Sequence, residues 1–205
     1  MDNTMIQKRI IKTTTNPSNE HELAKSAEQI LNDYRDTVVK VIRCYLNKQS
    51  CDELSCYSAS ISKKLVQNNN NGTLKLSYIG LLKPLRINHN GSIVTRARGW
   101  YFFLEKVSGR LDYIGVGGIV KGELNKDNDL FHRITQHFGT STGATFYKNF
   151  KREKNNKQTR KQWVSTLSKN YELVVVFREN DKFSPDELLV VESVLVKLLQ
   201  PKYNL

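Results

Sequence analysis

The chain has 205 residues, of which 39% are hydrophobic and 25% charged. That is enough apolar matter for a well-buried core and too much for a disordered chain. No apolar run approaches the ~20 residues of a membrane span, and MDNTMIQKRIIKTTTNPSNE lacks the apolar centre of a secretory leader, so a cytoplasmic protein is expected. Cys44, Cys51 and Cys56 form no CxxC pair; reduced thiols are expected rather than a disulfide framework or a zinc site.

The net charge is +12, and it is segregated. Residues 1–72 carry 10 basic and 8 acidic side chains, residues 73–163 carry 17 and 6, and residues 164–205 carry 5 and 6. Solubility does not require such segregation. A basic middle third attracts polyanions and gains affinity by releasing their counterions. Nucleic acid is therefore the expected partner, with a solvated basic face as the alternative.

In chain order, apolar residues from Leu23 to Tyr45 recur at three- and four-residue steps, predicting a helix over Glu20–Leu46. A shorter helix is expected over Leu54–Val66. Asn68 to Gly72 reads as a hinge, which divides the chain into a helical extension, 1–72, and a second unit, 73–205. Two loosely alternating runs, Leu74–Leu82 and Arg86–Val94, read as basic strands. Trp100–Val107 and Arg110–Val116 read as a hairpin. Its loop is expected to be Val107-Ser108-Gly109 with φ > 0 at Gly109, which sets Tyr113 opposite Phe103 and on the same face as Tyr101. Gly115, Gly117 and Gly118 read as the loop that follows; without GxGxxG or GKS/GKT they do not make a nucleotide fold. Helices are expected over Leu130–Phe138 and Thr145–Glu153, and a buried strand over Tyr171–Arg178. The last helix has Ser184 as N-cap, Pro185 in its first turn and Glu187 to complete a capping box, with Pro201 ending it.

Four features then stand in order: Gly99-Trp100-Tyr101, Tyr113-Ile114-Gly115, Arg133 with His137 four residues on, and Glu192 with Asn204 beyond the helix end. Taken singly, strand tyrosines pack, an arginine snorkels and a histidine caps. Glu192 falls within the apolar stripe of Leu188, Leu195 and Leu199, and a carboxylate there needs a partner or a metal. A buried ion pair with Arg133 is one solution.

Together these residues resemble the GIY-YIG nuclease superfamily, over Gly99 to Leu205, with ESVLVKLLQPKYN similar to its closing motif. Trp100 stands where Ile or Val is usual, Val116 follows the second motif, and Lys121 could supply the basic residue often found there. The resemblance implies an α+β fold: a small core sheet flanked by helices, here with the N-terminal helical extension and extra basic strands. It also implies a metal-dependent endonuclease cutting double-stranded DNA, most like a self-contained restriction endonuclease of prokaryotic or phage origin. A phage or mobile-element nuclease of low specificity, or a DNA-binding protein with a degenerate site, are the alternatives. The implied roles are catalytic for Tyr101, Tyr113, Arg133, His137 and Glu192, with Glu192 holding Mg²⁺ or Mn²⁺, and supporting for Gly115 and Asn204. A tyrosine acting as base needs its pKa lowered by the metal or by Arg133. Lys121, Lys148, Lys151, Arg152, Lys154, Arg96 and Arg98 are the expected DNA contacts, and a homodimer on DNA is expected because one site serves one strand.

Overall fold

The computed structural model describes residues 20–49, 54–60, 64–67, 74–77, 87–89, 92–94, 97–119, 129–138, 145–153, 158–179 and 183–204. The hinge at Asn68–Gly72, and Cys51, Arg96, Lys121 and Lys154, lie outside the described residues.

Elements follow in the order α1 (Glu20–Leu46), β1 (Ser55–Ser60), β2 (Lys64–Gln67), β3 (Leu74–Ser77), β4 (Ile87–His89), β5 (Ser92–Val94), β6 (Ala97–Glu105), β7 (Leu111–Gly117), α2 (Leu130–Gln136), α3 (Thr145–Glu153), α4 (Arg160–Asn170), β8 (Tyr171–Glu179) and α5 (Pro185–Leu199). The fold is α+β. Its centre is a four-stranded antiparallel sheet in the order β1-β8-β6-β7, while β2 pairs with β3 and β4 with β5 as separate ribbons.

Strand alternation sorts the side chains into two cores. One face of the sheet carries Tyr101, Phe103, Tyr113, Leu173 and Val175 against α2, α3 and α4. The other carries Trp100, Phe102, Leu104, Ile114, Val174 and Val176 against α1 and α5. Both central strands therefore carry a continuous apolar run, Trp100–Leu104 in β6 and Leu173–Phe177 in β8.

The helix expected over Leu54–Val66 is not formed: Ser55–Ser60 is strand β1, paired with β8 from Ser55↔Phe177 to Ser60↔Glu172. The outer backbone groups of buried β8 need partners, and that non-local demand outweighs a weak local pattern. Cys56, half-buried, donates its thiol to the Leu31 carbonyl of α1. Helix α4, absent from the sequence reading, opens with a capping box in which the Thr159 hydroxyl accepts from the Gln162 N–H and the Gln162 side chain accepts from the Thr159 N–H. Residues Gly115 and Gly117 are not loop but strand. The expected caps of α5 are present, and Gln200 closes it in the left-handed conformation at φ 48°.

The β6–β7 hairpin reaches its expected register by an unexpected route. Phe103 faces Tyr113 and Gly109 has φ 65°. Yet the Glu105 N–H donates to the Arg110 carbonyl at 2.8 Å, so the loop is the four residues Lys106–Gly109, and Leu104 faces Leu111. Asp112 is then an extra residue, a bulge that restores the pairing at Tyr113. The bulge turns Leu111 toward the α1–α5 core and Tyr113 toward the α2–α3 core.

Candidate active site

Strand β7 is an edge of the sheet, yet every one of its residues is buried. Helix α2 covers one face and α5 the other. The outer edge is covered by the C-terminal tail. The Tyr203 N–H donates to the Asp112 carbonyl at 2.8 Å, and Asn204 brackets Ile114, accepting from its N–H at 2.7 Å and donating to its carbonyl at 2.7 Å. Asn204 thus stands in for one residue of a neighbouring strand. The Pro-x-x-Asn spacing carries the chain from the end of α5 to that point, and so ties the Glu192 helix to the second-motif strand.

Tyr101 is fully buried, and its ring lies across its cross-strand partner Gly115. A Cβ on Gly115 would sit 2.2 Å from the ring Cζ and 2.3 Å from the hydroxyl oxygen, so this ring position requires a glycine. The Tyr101 hydroxyl shares a hydrogen bond of 2.7 Å with His137 Nε2. His137, 2% exposed, stands at the C-terminal end of α2, its backbone N–H bonded to the Ile134 carbonyl, and its ring packs edge-on against Tyr101, Phe103 and Tyr113 at 5.3–5.4 Å. Tyr113 stacks on Phe146 of α3, centroids 4.9 Å apart and planes 6° from parallel. That contact brings Thr145 to the Tyr113 hydroxyl.

Arg133 lies on the exposed side of α2, with one guanidinium nitrogen donating to Gln136 at 3.0 Å. Glu192 lies half-buried on α5. Tyr101, Tyr113, Arg133 and Glu192 are coupled electrostatically, and His137 joins them through its hydrogen bond to Tyr101. Burial raises the Glu192 carboxyl to about 7, against the pull of Arg133. With Arg133 exposed and Glu192 only half-buried, the two do not make the buried ion pair that was the alternative. Burial pushes the Tyr113 hydroxyl up to about 12, aided by the Glu192 charge and opposed by Arg133, Thr145 and Tyr101. Burial also drives Tyr101 well above the usual tyrosine value, Tyr113 and Glu192 adding to it and Arg133 opposing it. The lowering of the Tyr101 pKa expected from Arg133 is therefore outweighed by burial. Arg133 pulls in the expected direction, but desolvation is larger. The imidazole of His137 is the group hydrogen-bonded to the Tyr101 hydroxyl, and the direction of that bond depends on its tautomer.

Among the described residues no three carboxylate, imidazole or thiol groups converge as ligands. Glu192 is a single half-buried carboxylate with oxygen donors. That suits Mg²⁺ or Mn²⁺, which keep several waters and complete their shell with substrate phosphate.

Of the expected DNA contacts, Lys148, Lys151 and Arg152 are exposed on α3. Lys148 and Arg152 fall on the helical face of Thr145, about 4.5 and 10.5 Å along the axis. Arg98 is half-buried and donates to the Gly118 carbonyl at 2.7 Å, so part of its guanidinium is spent on the end of β7.

The sequence reading missed Asp112, Thr145 and Phe146. Asp112 is fully buried, with Arg110 forked onto it at 2.5 and 3.1 Å and the Tyr171 hydroxyl donating at 2.8 Å. The Arg-x-Asp spacing in the hairpin was the available signal. Comparisons with protein-family models, curated proteins and solved structures find no match.

Proposed function

We propose that the chain is an endodeoxyribonuclease of the GIY-YIG type, hydrolysing phosphodiester bonds in double-stranded DNA with Mg²⁺ or Mn²⁺ and acting at a specific sequence. The observation that carries this reading is the convergence of Tyr101, Tyr113, Arg133, His137 and Glu192 on one edge strand, from β6, β7, α2 and α5. The order and spacing of the motifs, the +12 charge and the basic outer face of α3 support it further.

Each residue has a task in that chemistry. Arg133, exposed and cationic, holds the scissile phosphate with a charge-assisted fork. His137 accepts the proton of Tyr101, whose hydroxyl it already touches, so the pair removes a proton from the attacking water. Tyr113, with Thr145 beside it, orients the phosphate. Glu192 holds the divalent ion, which supplies neutralisation of charge on the phosphate and the leaving oxygen. Lys148, Lys151 and Arg152 bind the flanking backbone. One chain has one such set, enough for one strand, so two copies act together on a duplex.

Digestion of a mapped plasmid in Mg²⁺, with sequencing of the ends, tests the reading. Discrete ends at a shared sequence support a restriction-type enzyme. Scattered ends indicate a nuclease of low specificity. The complete burial of Tyr101 favours one rival, a DNA-binding protein with a silent site, and the outcome expected from that rival is retention of DNA without nicking.

A further inference from the structure

Trp100 occupies the middle of the first motif, where a small aliphatic residue is usual in the resembled family. It is fully buried, and its indole N–H donates to the Leu188 carbonyl at 3.1 Å. In an α-helix that carbonyl also accepts the N–H four residues on, which belongs to Glu192. The indole thus bonds the carbonyl at the foot of the helical turn that carries the carboxylate. Phe183, just before α5, packs edge-on against the same indole at 5.9 Å.

The next residue faces the other way. Tyr101 crosses Gly115 and bonds His137 beside α2. One dipeptide therefore holds both layers of the site, Trp100 gripping the Glu192 helix and Tyr101 gripping the Arg133–His137 helix. An aliphatic residue could pack at position 100, but it has no donor with which to fix α5 along its axis.

We propose that Trp100 is a positioning residue, which sets the register of α5 on β6 and so places Glu192 relative to Tyr101. The proposal rests on the nuclease reading. The Leu188 carbonyl keeps its helical partner when the indole N–H is lost, so stability and placement can be separated.

The test uses the full chain with Trp100→Phe and, as a shape-preserving control, Trp100 replaced by 3-benzothienylalanine, in which sulfur stands for N–H. The benzothienyl protein should keep the melting temperature to within about 2–4 °C, the effect of one hydrogen bond, while Trp100→Phe, which also removes ring volume from a fully buried position, should melt lower. Both should cut roughly tenfold or more slowly, since small misplacements at a reacting centre are costly. Mn²⁺ binding in the presence of uncleavable phosphorothioate DNA, followed by water-proton relaxation, should weaken about as much. Wild-type cutting and wild-type Mn²⁺ affinity in the benzothienyl protein would overturn the proposal, whatever the fate of Trp100→Phe. A wild-type protein that binds Mn²⁺ and DNA but never cuts overturns the nuclease reading instead; weaker Mn²⁺ binding in the two variants would still support the placement of Glu192 by Trp100.

Discussion

Gly115 and Tyr101 are cross-strand partners, and the ring of one occupies the space where the other would carry a side chain: a Cβ at position 115 would lie 2.2 Å from the tyrosine Cζ. The second-motif glycine is therefore needed because of the first-motif tyrosine. Gly115→Ala should destabilise the protein by about 1–3 kcal/mol through overpacking. In a Tyr101→Leu background, where no ring reaches across, the same change should cost less than about half as much. Urea unfolding of the four proteins closes the cycle. An equal cost in both backgrounds would assign the glycine to the backbone and not to the ring.

The Glu192 carboxyl, ordinarily near 4.5, is raised by burial to about 7 in the folded protein. Between those values the unfolded chain has released the proton and the folded chain still holds it. Stability is therefore complete below pH 4.5 and falls as pH rises toward 7. Glu192→Gln carries no such penalty. It should match wild type near pH 4.5 and exceed it by on the order of 2 kcal/mol at pH 8, in metal-free buffer. Denaturant midpoints across this range decide. Ion binding needs the ionised carboxylate, so the apparent Mg²⁺ affinity should rise with pH toward 7 and level off above it.

Asn204 makes both of its hydrogen bonds to Ile114, each 2.7 Å long. Asn204→Ala leaves an N–H and a carbonyl of the edge strand without this partner and should cost about 1–3 kcal/mol. Asn204→Asp keeps the acceptor but sets a charge against the carbonyl, and should cost at least as much. Amide exchange at Ile114 should speed up in both variants. Unchanged protection there would mean that the tail does not close this edge.

The parts of this structure legible in the sequence are those decided locally. The period of α1, the bounds of α3 and the capping box of α5 each follow from neighbours within a few residues. The pairing of Phe103 with Tyr113 was also legible, but through two errors that cancel: a loop one residue too short and an unseen bulge at Asp112. That bulge is sustained partly by Tyr171, distant in sequence, and near Asp112 only the Arg110-x-Asp112 spacing hints at it. Strand β1 was hidden for the same reason, since its partner β8 lies over 100 residues away. Helix α4 was different: Thr159 and Gln162 marked it and were read only as part of a basic stretch. The tyrosine pKa values depend on burial, which the sequence does not display.

The outer face of α3 presents Lys148, Lys151 and Arg152 to solvent. Replacing all three by Ala should weaken binding to every DNA sequence alike. It should also lower the salt slope of log K by roughly one unit per lost phosphate contact. Titrations at four salt concentrations measure the slope, and an unaltered slope would remove α3 from the interface.

The central proposal is that Glu192, acting with the Tyr101–His137 pair, makes this fold a metal-dependent nuclease. Nicking of supercoiled plasmid by wild type and by Glu192→Gln, side by side in Mg²⁺ and in EDTA, tests it most directly. Wild type should nick in Mg²⁺ alone, while folded Glu192→Gln should bind the DNA and cut at least about a hundredfold more slowly. Equal nicking by both proteins, or none by wild type, would contradict the claim.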